Sequence, residues 1–203
     1  MKIHNCIQND ADWLAIRAGK VTASEMDSLV SSEFAIRKGA GVQTLLYKKI
    51  AESRLGPLPG GRSWECEEGQ MMEDECRKWV AFNSDETLIN VGFCEHDDQR
   101  CGASPDALMG SDGGLELKAP QPVNHVRYLL EGVLPKEYAA QIHMSLYVTE
   151  RLWWQFVSYR RGFPAFVLRV ERDEAICAKI GEALAGFYEK MDEALKQLEQ
   201  HED

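Results

Sequence analysis

The sequence predicts a mixed α/β fold in which strands are framed by helices on both sides. Three observations lead there. The 203 residues are 44% hydrophobic, enough to bury a full core. Apolar residues recur at helical spacing over 63–82 and again from Arg172 towards the C-terminus. Between these stretches, short runs rich in strand formers alternate with Gly- and Asp-rich turns.

Asp10 to Gly19 reads as a short helix with Trp13, Leu14 and Ile16 inward. Thr22-Ala-Ser-Glu25 is a capping-box pattern and opens a helix through Val30. Residues 42–54 continue as a helix with Leu45, Leu46 and Ile50 on one face, and the Pro- and Gly-rich stretch 55–61 ends it in a loop. Residues 63–82 form one helix with Met71, Met72, Cys76 and Trp79 at apolar positions. Three strands follow, 87–94, 101–109 and 114–119, broken at His96-Asp-Asp98 and at 110–114. Helices are expected over 122–131 and 135–149, then a strand pair, 152–159 and 165–170, and a long closing helix. With no repeat or long linker, residues 1–203 are expected to form one domain. It comprises a helical N-terminal region over 1–62, a core of about 63–170, and a C-terminal helix of about 172–200.

Composition narrows the function classes. No apolar run approaches the roughly 18 residues of a membrane-spanning helix, and the first residues lack the apolar stretch of a signal peptide. A cytoplasmic location is expected, with no membrane partner. The six scattered cysteines then read as reduced thiols. Cys94, His96 and Cys101 are a weak zinc candidate that lacks a fourth ligand. The net charge of −10 is uneven: residues 1–62 carry 9 basic and 6 acidic side chains, and the acidic excess lies after them. That total disfavours indiscriminate DNA coating but leaves room for a local basic channel.

The chemistry concentrates in Ser104-Pro-Asp106 and Glu116-Leu-Lys118. Glu116 and Lys118 are two apart on an expected strand, so their side chains leave one face. A Gly-rich turn folds the strand carrying Asp106 back beside them. Two close carboxylates favour a shared proton or a cation, and oxygen ligands suit Mg²⁺ or Mn²⁺. An ammonium beside that cation suits a water or a developing phosphate charge. The bland alternative is a solvated charge pair on a hairpin edge.

This segment resembles the core motif of the PD-(D/E)xK nucleases, whose restriction-endonuclease-like core is a central mixed sheet flanked by helices. More narrowly, the chain resembles the lambda-exonuclease-like alkaline exonucleases of phages, the YqaJ viral recombinase family. The likeness runs nearly end to end through Trp13–Arg17, Val21-Thr-Ala-Ser24, Gly69–Glu73, the two core segments, Ala140-Gln141 and the acidic C-terminal helix. The resemblance implies metal ligation by Asp106 and Glu116, with the Leu117 carbonyl as a further candidate. It implies Lys118 serving the attacking water, Glu73 near the metal, and Gln141 completing the catalytic face. Arg17, Ser24 and Ser104 match positions that hold a terminal 5′-phosphate, and an arginine fork with hydroxyl donors suits that anion. The expected activity is Mg²⁺-dependent 5′-to-3′ digestion of linear double-stranded DNA from its end, by a homotrimeric ring, leaving 3′ tails for a single-strand annealing protein.

Two rivals stand beside this reading: a site-specific endonuclease on the same core, and a non-enzymatic acidic DNA mimic or scaffold. His143 is expected to be packed rather than a general base. Trp13, Trp79, Trp153 and Trp154 are expected in the core or at a subunit interface, and Arg160 and Arg161 exposed at a turn.

Overall fold

The protein, seen in a computed structural model, is described over residues 1–59, 65–98 and 100–200, the side chains of 65–70 excepted. Its strand-rich middle builds two sheets, because neither of the first two predicted strands runs straight through. Residues 87–94 divide into β3 (Leu88–Ile89) and β4 (Phe93–Glu95), and residues 101–109 into β5 (Cys101–Ala103) and β6 (Ala107–Met109). The breaks have local causes. A Cβ at Gly92 would collide with the backbone of Cys6, and Pro105 has no N–H to give a ladder.

The first sheet runs β1 (Lys2–His4), β4, β5, β2 (Val21–Thr22), with β2 and β5 parallel. The second runs β3, β6, β7 (Gly113–Lys118), β8 (Trp153–Ser158), β9 (Phe166–Glu171), with β7 and β8 parallel. The second is the predicted central mixed sheet. The first is unexpected, since β1 and β2 are too short to show period-two alternation and lie in a region expected to be helical.

The helices are α1 (Ala11–Arg17), α2 (Ala40–Leu55), α3 (Glu65–Asn83), α4 (Pro122–Glu131), α5 (Lys136–Thr149) and α6 (Glu174–Glu199). α1 is capped by the Asp10 carboxylate, which accepts from Trp13 N at 2.7 Å. This two-turn helix buries no residue fully: Leu14 is exposed, while Trp13 and Ile16 are half-buried. The capping box is present, Glu25 Oε2 accepting from Thr22 N at 3.0 Å, yet it opens a 3₁₀ turn (Ala23–Ser28) instead of an α-helix. Val30 leaves that turn to bridge Ile36, which stops the helix short. Met71 is exposed whereas Met72 is buried, as expected of neighbours about 100° apart on a helix.

α5 is apolar on most of its surface and packs, with α6 and the 3₁₀ turn, in a core shared by both sheets. α3 covers the other face of the second sheet, setting Cys76 and Val80 against Leu115, Leu117 and Val157. Tyr188 of α6 ties that helix to the first sheet, accepting from Val21 N and donating to the Arg100 carbonyl.

The turn between β6 and β7 is clamped by Arg151, whose Nη1 donates to the carbonyls of Met109, Gly110 and Gly113. Beyond it, Gly113 and Gly114 lie under the indoles of Trp153 and Trp154, where any Cβ would overlap the rings. Gly114→Ala should therefore lower unfolding free energy by about 1–3 kcal/mol in urea titrations. Gly186→Ala on α6, with open space around its Cβ position, should raise stability by up to about 1 kcal/mol.

Candidate active site

The β6–β7 register pairs Ala107 with Leu115, which brings Asp106, just before β6, beside the Glu116 strand, while Glu116 itself turns towards Gln141 of α5. Asp106 Oδ2 accepts from Leu117 N at 2.6 Å, and its own N–H donates to Leu115 O at 3.1 Å. Glu116 Oε1 receives both Lys118 Nζ and Gln141 Nε2, each at 2.5 Å. Lys118 also lies 5.3 Å from the Tyr138 ring centre. Glu116 Oε2 thereby remains open to a further partner among the described residues, and Asp106 Oδ1 has only the Arg77 guanidinium, 3.7 Å away.

Burial pushes both carboxyls above the ordinary carboxylate range. For Glu116, Lys118 opposes the shift and Asp106 adds to it. Burial and the charge of Asp106 likewise raise Glu73 on α3, so it shares the field of the site. Glu116 raises the Lys118 ammonium against its desolvation. Three acidic groups against Lys118 and the more distant Arg77, with Glu116 Oε2 left open, are a donor set that fits a divalent cation such as Mg²⁺.

A second cluster lies just across Pro105. Arg17 Nη1 donates to Ser104 Oγ at 2.9 Å, and Trp13 Nε1 donates to the same oxygen at 2.9 Å and to Gly92 O at 3.1 Å. The guanidinium stacks 3.8 Å over the Trp13 ring. Arg17 thus turns inward rather than pairing with Asp10 or Asp12. Ser24 joins the cluster through Thr22, whose Oγ1 is 3.3 Å from Ser24 Oγ and 3.5 Å from Arg17 Nη2. A cavity of about 430 Å³ opens beside Arg17, lined also by Lys48 and Lys49.

Trp13 stacks on Arg17 and hydrogen-bonds Ser104, as its i, i+4 spacing to Arg17 allows. Sequence reasoning missed the Lys48–Lys49 pair and Arg77. The Lys48–Lys49 pair faces Glu25 and Glu52 from α2. Arg77, one helical turn after Glu73, lies 3.7 Å from Asp106 Oδ1.

His143 is buried with its ring edge on Phe34, away from the Gln141 face of α5, and burial lowers its pKa. Trp154 is fully buried, Trp153 nearly so, and Trp79 is half-buried. Arg161 pairs with Glu75 and Arg160 touches Met72, so the β8–β9 loop is tied to α3. The five described cysteines are free thiols, and Cys66 lies outside the described side chains. Cys94, His96 and Cys101 are not grouped as a ligand set. Asp98 takes the place of Cys94, which stays in the core. His96 and Asp98 already satisfy each other at 3.1 Å, and burial holds the Cys101 thiol protonated. No described helix is long and apolar enough to cross a membrane.

Residues 12–152 match the model of the YqaJ-like viral recombinase domain. The chain belongs to the YqaJ-like viral recombinase family. Among solved structures, this YqaJ-like chain is similar to the alkaline exonuclease LHK-Exo from Laribacter hongkongensis, also crystallised in complex with dAMP. The identity is 28%, the TM-score 0.85, and the match covers 95% of this chain and 97% of that one. A phage-related exonuclease from Haemophilus somnus 129PT shares the fold, with a TM-score of 0.68, 12% identity and coverage of 88% and 96%. The Escherichia coli K12 protein described as putative uncharacterized protein ExoD is 38% identical over 66 residues, 30% of this chain and 74% of that protein. Family and likeness together support a nuclease acting on DNA.

The lysine pair beside Arg17 has a measurable signature. Burial opposes ionisation of Glu25, but Lys49, Lys48 and Thr22 outweigh it and hold the carboxyl down to about 2 from an ordinary 4.5. A depressed carboxylate stabilises the fold fully above about pH 4.5 and loses that contribution as pH falls towards 2, about 3 kcal/mol at most. Urea titrations at pH 6, 4 and 3 should show this loss. Glu25→Gln should be less stable at pH 6 and show a flatter decline.

Proposed function

We propose that the chain is a Mg²⁺-dependent exonuclease that digests one strand of linear double-stranded DNA from its 5′ end. The observation that carries this reading is the binding of Asp106 to Leu115 and Leu117, on either side of Glu116, with Lys118 and Gln141 on the Glu116 carboxylate. Asp106, Glu116 and the Leu117 carbonyl would hold the cation, with Glu73 close by. Mn²⁺ suits the same oxygen set. When bound, Mg²⁺ supplies positive charge to the scissile phosphate and acidifies a water.

The chain's own residues supply the rest. Gln141 fixes the Glu116 carboxylate, so its second oxygen keeps one direction. Lys118 presents N–H donors to the attacking water and to charge that develops on the phosphate. Arg17, held flat by Trp13, grips the terminal phosphate with Ser104 and Ser24. Two residues span at most roughly 7 Å, so the Ser104 subsite and Asp106 lie within about one nucleotide step of each other along the backbone. In the same reading the working form is a homotrimeric ring. Enclosure offsets the tendency of a chain with net charge −10 to release a polyanion. The 3′ strand left behind passes to a single-strand annealing protein.

Asp106→Asn and Glu116→Gln should each lower digestion of linear duplex by orders of magnitude while the thermal melt stays native-like. Circular duplex should resist the wild type, and EDTA should stop it. Retained activity in either variant would exclude this site.

End selection isolates the Arg17 cluster. A lost charged hydrogen bond costs about 1.5–3 kcal/mol, roughly 10- to 150-fold. Arg17→Ala should slow digestion of 5′-phosphorylated duplex by that order and leave it near the rate on 5′-hydroxyl duplex. Equal rates on both ends in the wild type would remove the phosphate subsite without touching the nuclease assignment.

A further inference from the structure

Helix α3 brings Glu73 to the site and, one turn later, brings Arg77. Arg77 Nη1 donates to the backbone carbonyl of Asp106 and, at 3.3 Å, to Asn90 Oδ1, while Nη2 lies 3.7 Å from Asp106 Oδ1. Asp106 needs such a partner because it belongs to neither ladder, sitting in the crossing between β5 and β6. Its N–H and Oδ2 are engaged by β7, so among the described residues Arg77 is the donor to its carbonyl. An unmet carbonyl there would leave the peptide free to rotate, and the Oδ1 direction with it.

The ion pair contributes little by itself. At 3.7 Å, with the Arg77 side chain 35% exposed, it resembles a surface pair. What is specific is the fork: one planar group meets the peptide oxygen and Asn90 and lies beside the carboxylate. A lysine could meet only part of this set. Because Glu73 and Arg77 share a helix, the same contact fixes the distance between α3 and the hairpin.

We propose that Arg77 is the positioning residue of the cation site, aiming Asp106 Oδ1 through its hold on the Asp106 peptide, and that it does not itself bind DNA. This rests on the nuclease reading above. The test is Mn²⁺ binding, followed by the electron paramagnetic resonance signal of the free ion, on wild type, Asp106→Ala, Arg77→Ala and Arg77→Lys. DNA affinity in EDTA and thermal melts are measured in parallel. Partners that orient metal ligands are worth about 10- to 100-fold in affinity. Arg77→Ala should weaken Mn²⁺ binding by about tenfold or more, Arg77→Lys by less, and neither should change DNA affinity. If Arg77→Ala does not fold, the Arg77→Lys measurement decides alone. Unchanged Mn²⁺ affinity in a folded Arg77 variant, or lost DNA affinity with Mn²⁺ binding intact, would overturn the inference and spare the nuclease reading. A wild type that binds no Mn²⁺ would remove both.

Discussion

The passage of the chain from one sheet to the other at Pro105 is the constraint on which the remaining structure depends. A proline cannot donate to a ladder, so the strand that enters as β5 must end and restart as β6. Ser104 and Asp106 then face different surroundings, although only one residue separates them. Ser104 meets Arg17 and Trp13, whereas Asp106 meets Leu117 and Arg77. The neighbouring crossing at Gly92 runs alongside, and the N-terminal segment stitches the two together. Gln8 donates to Val91 O and Pro105 O, and Trp13 spans Gly92 O and Ser104 Oγ.

Stability alone gives little reason for the charges that follow. A buried ion pair such as Lys118–Glu116 contributes little against a well-packed apolar pair, because desolvation offsets most of its Coulomb attraction. Here the imbalance goes further, since Asp106 and Glu73 add negative charge beside it that Arg77 offsets only in part. The surrounding packing holds that charge in place: Leu115 and Leu117 alternate with Glu116 and anchor the strand to α3 from the opposite face.

The regions of the molecule legible in the sequence were those with long or directional signals. The 19-residue α3, the 26-residue α6 and the six-residue strands β8 and β9 stand close to their predicted places. The two-residue spacing of Glu116 and Lys118 placed both on one face because strand periodicity is fixed. Elements of two or three residues, such as β1 and β2, carry no period, so the first sheet was invisible. So was the sheet change inside 101–109, since apolar composition alone cannot show which sheet a strand joins. Arg77 escaped notice because its main partner is a backbone oxygen, and sequence motifs record only side chains.

The two glycines beneath the indole rings have a consequence for how such a chain can evolve. Gly113 and Gly114 pair in register with Trp153 and Trp154, and each ring fills the space a side chain would take. Enlarging a glycine while its tryptophan remains forces overlap, and shrinking the tryptophan first leaves a void in the core. Either first step is harmful, although the double replacement restores volume. The four positions are therefore linked by sign epistasis, and descendants are expected to inherit them as a block while the exposed side chains of Ser111 and Asp112 in the neighbouring turn drift more freely.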